Sequence, residues 1–157
     1  MTARPESMAN QIANVVIREL SKIDSGTDAV KWHSRPLEVK RGGPASLSKI
    51  ARPGYLVSIP DSEGTLLTAT LHREKATLNI WCLADQADSV DEATEAVLHR
   101  MLDDAVQAMA TNESLSGLLL FMGPARKSIE GDDAERNSFG IGRVSFDLEY
   151  EWAHGSP

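Results

Sequence analysis

The sequence contains one cysteine, no long apolar run and no local pattern of a catalytic or metal site. Cys82 is the single cysteine among 157 residues, so an internal disulfide is excluded and stability must come from packing. No apolar run approaches the ~20 residues that cross a bilayer, and the first residues lack the apolar core of a secretory signal. We therefore expect a protein without a membrane segment that is made and kept in the cytosol.

Basic residues are in deficit, with 16 Lys and Arg against 23 Asp and Glu and a net charge of −7. Tight non-specific binding to phosphate needs clustered cations, so nucleic acid is not expected as a tightly held ligand. The four histidines, at positions 33, 72, 99 and 154, match no metal-ligand spacing. The sequence predicts neither a metal site nor a cofactor.

The remaining composition is that of an ordinary globular protein. Hydrophobic residues make up 41% of the chain and charged residues 25%. The length suits one domain with one core, so we expect a single domain over residues 1–157.

Two segments have helical periodicity. Met8, Ile12, Val16 and Leu20 fall on one face and predict a helix from Ser7 to about Ser21. Ser89-Val-Asp-Glu92 has the form of a capping box and precedes a broad apolar stripe that continues to about residue 110. The second helix is therefore expected to be the main packing helix.

Strand patterns fill most of the remainder. Residues 55–59 form a short strand candidate, and residues 61–64 supply a turn after it. Residues 67–72 and 76–83 could form two strands or one long bent strand, and residues 118–122 form a short apolar strand candidate. Residues 143–152 alternate apolar and polar along their whole length. The expected fold is α+β, a mostly antiparallel sheet with one face covered by two amphipathic helices.

Two stretches are predicted to be long loops, at residues 33–54 and 123–140. The first contains four prolines and glycines between residues 42 and 53 and little periodicity, and the second is dominated by charge. Gly140 and Gly142 lead into the terminal strand, which favours a bend or bulge over a phosphate loop.

No catalytic residue is predicted. Asp147, Glu149 and Glu151 share one strand face, and paired carboxylates are the starting point for glycosidase chemistry, but outward positions of a half-buried strand are ordinarily polar. A neighbouring basic strand or a partner subunit would give these carboxylates a third use. Ser46, Ser48 and Cys82 lack the surroundings of a nucleophile.

Charge asymmetry between the two predicted loops suggests contacts between copies. The first loop is basic inside an acidic protein and the second has an acidic excess, and opposite patches suit head-to-tail association. The candidate subunit or tube contacts are Arg35, Lys40, Arg41, Lys49, Arg52, Arg126, Lys127, Glu130, Asp132 and Asp133.

The order of elements, together with three segments, resembles the tail terminator proteins of long-tailed bacteriophages. These segments are Ala76-Thr-Leu-Asn-Ile-Trp-Cys-Leu-Ala-Asp, then Leu102-Asp-Asp-Ala, and Phe146-Asp-Leu-Glu-Tyr-Glu-Trp at the end of the chain. The resemblance extends from Met8 to Trp152. It concerns pattern and fold, and it assigns no role to a single residue.

The resemblance implies a structural virion protein at the tail neck, assembled in the host cytoplasm, which acts without catalysis. Six copies would form a ring that caps the tail tube, ends polymerisation and joins the head-side connector, or stopper, protein. The partners would be the tube protein, this connector and, in a contractile tail, the sheath protein. DNA would pass through the channel without specific binding, since six copies at −7 each carry −42 formal charges.

Three alternatives stay open from the sequence. Another minor tail or head-tail connector protein is the nearest, although the long amphipathic helix suits a small all-β barrel poorly. A hydrolase using Asp147, Glu149 or Glu151 would need a concave pocket, and a small binding module would need an apolar cleft.

Overall fold

A computed structural model describes residues 7–85, 94–129 and 139–153. The described part is a mixed α+β fold with seven strands in a mostly antiparallel sheet and three helices, which confirms the predicted class. In chain order the elements are α1 (Met8–Leu20), β1 (Glu38–Arg41), a 3-10 helix (Pro44–Lys49), β2 (Gly54–Ser58), β3 (Ser62–Leu66), β4 (Leu71–Asp85), α2 (Thr94–Ala110), β5 (Phe121–Met122), β6 (Arg126–Ile129) and β7 (Phe139–Ala153).

The centre of the sheet is a long antiparallel ribbon of β4 and β7. The two strands pair without interruption from Leu71 opposite Ala153 to Asp85 opposite Phe139. At ~3.4 Å per residue the ribbon is about 48 Å long. The sequence left open whether residues 67–83 form two strands or one, and the structure has one continuous strand from Leu71 onward.

Alternation along these strands divides their side chains between two buried clusters. In β4, Leu78, Ile80 and Cys82 belong to the main core, whereas Trp81 and Leu83 belong to a smaller cluster on the opposite face. The predicted alternation of the last strand is confirmed, because its apolar positions from 144 to 150 are buried. The main core also contains buried side chains of α1, α2 and β2.

Both predicted helices are present. The Ser7 side chain accepts a hydrogen bond from the Asn10 N–H at 3.2 Å and caps α1, whose Ile12, Val16 and Leu20 are fully buried. α2 begins at Thr94 and buries a row that includes Leu98 and Leu102. The capping box at residues 89–92 lies outside the described residues.

The two predicted loops are more regular than the sequence indicated. Within residues 33–54, β1 pairs in parallel with β2, and a 3-10 helix follows from Pro44. Hydrogen bonds from the Leu37 N–H to the Pro53 carbonyl (2.7 Å) and from the Gly42 N–H to the Val57 carbonyl (3.0 Å) flank this pairing. Within residues 123–140, β6 pairs with β7. Four residues are too few to show a periodic pattern in the sequence. Such short strands are held in place by pairing with the neighbouring strand.

Two further expectations about strand ends were wrong. Residues 62–64, predicted as a turn, lie in β3 and pair with β4, and the turn falls at residues 67–70 instead. There the Leu67 N–H donates to the Leu71 carbonyl at 2.9 Å. The apolar strand predicted at residues 118–122 is reduced to β5.

The bend or bulge predicted at Gly140 and Gly142 is also absent from the described pairing, which passes both residues in unbroken register. The glycines are explained by the closeness of α2. A Cβ atom at position 140 would lie 2.5 Å from the Thr94 Cγ2 atom and 3.0 Å from the Leu98 Cδ1 atom. Gly140 therefore lets the helix approach the strand.

Candidate functional site

The two edges of the sheet are the surfaces most open to another molecule. β2 and β3 follow each other along one side of β4, and β5 and β6 follow each other along the outer side of β7. β1 covers β2. Among the described residues, β1 and β3 at one edge and the β5–β6 run at the other have no strand beyond them.

Each of these runs is broken by a proline and one extra residue. Residues 59–61 stand opposite residues 77–78, between the pairs Ser58–Asn79 and Ser62–Ala76. Residues 123–125 stand opposite residues 146–147 in the same manner. An extra residue on one strand is a bulge, and bulges with proline are typical of sheet edges. Pro60 and Pro124 are the prolines concerned.

Large apolar side chains are exposed at both edges. All five residues of β3 are exposed, and Leu66 and Leu67 at its end retain 60% and 43% of their accessible surface. At the opposite edge Leu120 and Phe121 retain 55% and 52%. Apolar residues of this size that cluster on a surface mark an interaction site more often than residues that are scattered singly.

A groove of about 530 Å³ lies beside Phe121, between the end of α2 and β5. Its apolar lining includes Val106, Met109, Leu119, Leu120, Phe121, Met122, Pro124 and Phe146. Glu113 and Ser114 contribute polar groups. A mostly apolar groove with few polar groups fits an apolar side chain better than a charged substrate.

The β3 run and the β5–β6 run carry opposite charge, whereas the edge strand β1, on the same side as β3, contains Glu38, Lys40 and Arg41. Residues 60–70 contain Asp61 and Glu63 and no basic residue, whereas residues 120–129 contain Arg126 and Lys127 and no acidic residue. Arg126 donates to both carboxylate oxygens of Asp147, at 2.8 and 3.1 Å. Lys127 lies 2.9 Å from an Asp103 oxygen. The basic edge is therefore partly neutralised by its own chain.

The structure places the predicted basic contact residues on the surface but gives most of them partners within the chain. Arg35 lies 3.4 Å from Asp24, Lys40 lies 3.0 Å from Glu38, and Arg41 hydrogen-bonds Asn10. Arg52 contacts Asp85 at 2.5 Å and covers the Phe139 ring at 4.6 Å, while Lys49 is exposed at the end of the 3-10 helix. Glu130, Asp132 and Asp133 lie outside the described residues.

The carboxylate row considered for acid–base chemistry is matched by cations. Beside the Arg126 contact of Asp147, the Glu149 carboxylate lies 3.7 Å from the Lys75 Nζ atom, and the Glu151 carboxylate lies 2.7 Å from the Arg73 guanidinium. The hydrogen bonds from Arg126 lower the pKa of Asp147. A carboxyl group that acts as a general acid needs a raised pKa, so this arrangement does not favour a hydrolase. The neighbouring basic strand considered for these carboxylates is present.

Asp104 was missed by the sequence reading. This buried carboxylate accepts hydrogen bonds from the backbone N–H groups of His33 and Ser34 and from the Ser34 hydroxyl, at 2.5 to 3.1 Å. It therefore attaches the segment after α1 to α2. In the sequence, Asp104 follows Met101 by three residues, which places its carboxylate on the apolar face of the predicted second helix. This spacing is the sequence feature that could have identified it.

The remaining candidate groups have structural surroundings. His72 stacks on Trp152, with ring centroids 4.2 Å apart, and His99 lies 3.5 Å from Glu95. Burial raises the pKa of the Cys82 thiol well above its ordinary value, which disfavours a thiolate. In the described part of the chain, His, Cys, Asp and Glu form no cluster of three or more suited to a metal ion.

The chain matches no protein-family model and has no significant match among curated proteins. Over the residues that the structure describes, no helix combines the length and apolar character needed to cross a membrane.

Proposed function

We propose that this chain is a structural virion protein that caps the tail tube of a long-tailed phage as a six-membered ring. The ring ends tube polymerisation and offers a joining surface to the head-side connector. The tube protein, this connector and, in a contractile tail, the sheath protein are its partners, and it has no catalytic turnover.

The observation that carries this proposal is the pair of open sheet edges. The β3 and β5–β6 runs of these edges lie on opposite sides of the β4–β7 ribbon, expose large apolar side chains and differ in charge sign. Two different patches on opposite sides of one subunit suit a heterologous, head-to-tail contact, which makes a ring where the rotation closes. A symmetric dimer would instead use one patch twice.

The proposal also assigns the two faces of the sheet. The helices α1 and α2 cover the face of the main core and lie on the outside of the ring. The opposite face, with Asp147, Glu149 and Glu151, lines the channel. Because Arg126, Lys75 and Arg73 neutralise these carboxylates, the channel wall holds DNA phosphates weakly and lets the strand pass.

A different head-tail connector or minor tail protein is the second candidate. The open edges support ring formation equally well for such a protein. The two are distinguished by what happens to tail length, because only a tail terminator stops tube growth. In the parent phage, loss of the gene should give tails of excess length if the chain is the terminator, and tails of normal length if it is a connector.

The first experiment measures the mass of the purified protein by light scattering over a concentration series, with negative-stain images of the same samples. Six-fold rings, free or on the ends of isolated tail tubes, are the expected result. A stable symmetric dimer that neither enlarges with concentration nor binds tube ends would contradict the proposal.

A further inference from the structure

We infer that the turn between β3 and β4 of one copy inserts its leucines into the groove beside Phe121 of the next copy. This inference rests on the proposed ring, and it names the contact that closes it. Leu66 and Leu67, with the turn that follows them, form the apolar tip of this hairpin.

The apolar tip has the properties of an inserting element. It joins two strands of the sheet and is fixed by hydrogen bonds from the N–H groups of Leu67 and Thr68 to the Leu71 carbonyl, at 2.9 and 3.3 Å. The turn residues Leu67-Thr-Ala-Thr70 carry no charge, so insertion buries no ion. A tip held by its own hydrogen bonds loses little conformational freedom on binding.

The groove offers a matching environment. Leu120 and Phe121 are half-exposed at its border, and Met109, Leu119 and Phe146 form buried parts of its wall. Its volume of about 530 Å³ is large enough for two leucine side chains. Leu66 and Leu67 retain 60% and 43% of their accessible surface in the single chain, so their burial in the groove removes apolar surface from water and provides an anchor.

Charge complementarity identifies the occupant as a second copy of this chain. The run that leads to the tip carries Asp61 and Glu63, and the run beyond the groove carries Arg126 and Lys127. When a tip enters a groove from a neighbouring copy, these two runs become adjacent edges with opposite charge. Asp61 and Glu63 of one copy then compete with Asp147 and Asp103 for Arg126 and Lys127 of the next. This charge pairing favours the orientation that brings the acidic run beside the basic run.

The tip cannot reach the groove of its own chain. Phe121 is opposite Glu149, Glu149 is opposite Lys75, and Lys75 is opposite Glu63, so Phe121 and Glu63 are three strand spacings apart. With ~4.8 Å between strands and ~3.3 Å per residue, Leu67 lies about 19 Å from Phe121. A disulfide requires Cα atoms closer than about 7 Å, so a cross-link between these positions must join two copies.

The test is disulfide cross-linking of the full chain that carries both Leu67→Cys and Phe121→Cys. Both positions are exposed, and the native Cys82 is buried with a raised thiol pKa, so it contributes little background. Mild oxidation at a concentration where light scattering detects rings should give a ladder of covalent species up to six chains. The single variants and a matched pair of Val30→Cys with Phe121→Cys should give no ladder, since Val30 is fully exposed elsewhere on the surface.

The outcomes separate this contact from the ring itself. Rings in solution without a ladder from the double variant would overturn the tip-in-groove contact and leave the ring standing. Dimers from Leu67→Cys alone would indicate that tips meet tips in a symmetric contact, which also overturns the inference. A monomer at every concentration, with and without tube ends, and no ladder would overturn both proposals.

Discussion

Replacing Gly140 by alanine tests whether the closeness of α2 to β7 explains this glycine. The new Cβ atom would lie 2.5 Å from the Thr94 Cγ2 atom, a separation that forces the helix or the strand to move. Overpacking of this kind costs about 1–3 kcal/mol, and the lower entropy of the unfolded alanine chain returns about 0.4–1 kcal/mol. We expect a net loss of about 1–2 kcal/mol in the free energy of unfolding.

Gly142 is a matched control on the same face of the same strand. A Cβ atom there would lie 3.4 Å from the nearest atom, Leu102 Cδ1, which is an ordinary contact. Gly142→Ala should therefore change the free energy of unfolding by less than about 1 kcal/mol. We expect a gain, because alanine lowers the conformational entropy of the unfolded chain. Adding Thr94→Ser to Gly140→Ala removes the obstructing methyl group and should recover part of the loss, since the Leu98 Cδ1 atom would remain 3.0 Å from the new Cβ atom.

Urea unfolding followed by circular dichroism measures the native chain and these three variants. The transition midpoint of Gly140→Ala should fall, and its slope should stay unchanged, because the surface exposed on unfolding is the same. Equal losses for the two alanine variants, or a loss for Gly140→Ala that Thr94→Ser does not relieve, would refute the explanation by helix approach.

Three other expectations follow from the described contacts. Asp104→Ala leaves two backbone N–H groups without an acceptor and should cost about 2–4 kcal/mol in urea unfolding, whereas Asp104→Asn, which keeps one acceptor, should cost clearly less. Burial would raise the pKa of Glu74, but hydrogen bonds such as that from the Trp152 indole outweigh it and lower the pKa below 4.5. Ionised Glu74 therefore stabilises the fold above pH 4.5, and the stability difference between the native chain and Glu74→Gln should shrink as pH falls through the lowered pKa; a constant difference would contradict this. For the proposed ring, Asp61→Lys combined with Glu63→Lys should weaken assembly in light scattering, and equal weakening by the exposed Glu95→Lys would show that overall charge is responsible.

Long elements with a strong period were predictable from sequence. The alternation of residues 143–152 and the apolar face of Met8 to Leu20 appear in the structure as β7 and α1. These patterns are informative because one face is buried and the other is solvated along the whole element. The joining of residues 71–85 into one strand was left open, since the polar residues 73–75 interrupt the apolar pattern.

Features that depend on a distant neighbour were not predictable. β1 and β6 have four residues each, and their order comes from hydrogen bonds to β2 and β7. Gly140 is predicted from sequence to form a bend, because the local sequence does not reveal that α2 lies close to this residue. Residues 67–70 of the apolar tip are predicted from sequence to belong to a strand, because Leu67 has the same local pattern whether it is buried or exposed. The candidate contact residues are predicted from charge alone. Their ion-pair and hydrogen-bond partners within the chain depend on the fold, so the local sequence does not reveal them.

The prolines in the two edge runs have a consequence for the chain before assembly. A sheet edge with an unbroken row of amide donors can template fibril growth, and freshly made subunits of any assembly must wait in solution with such edges open. Pro60 and Pro124 each remove a donor, and the extra residue beside each prevents a neighbour from pairing in one continuous register. In the proposed ring, subunits that await assembly would thereby be protected against amyloid-like stacking, while short stretches of each edge would remain available to a neighbouring copy.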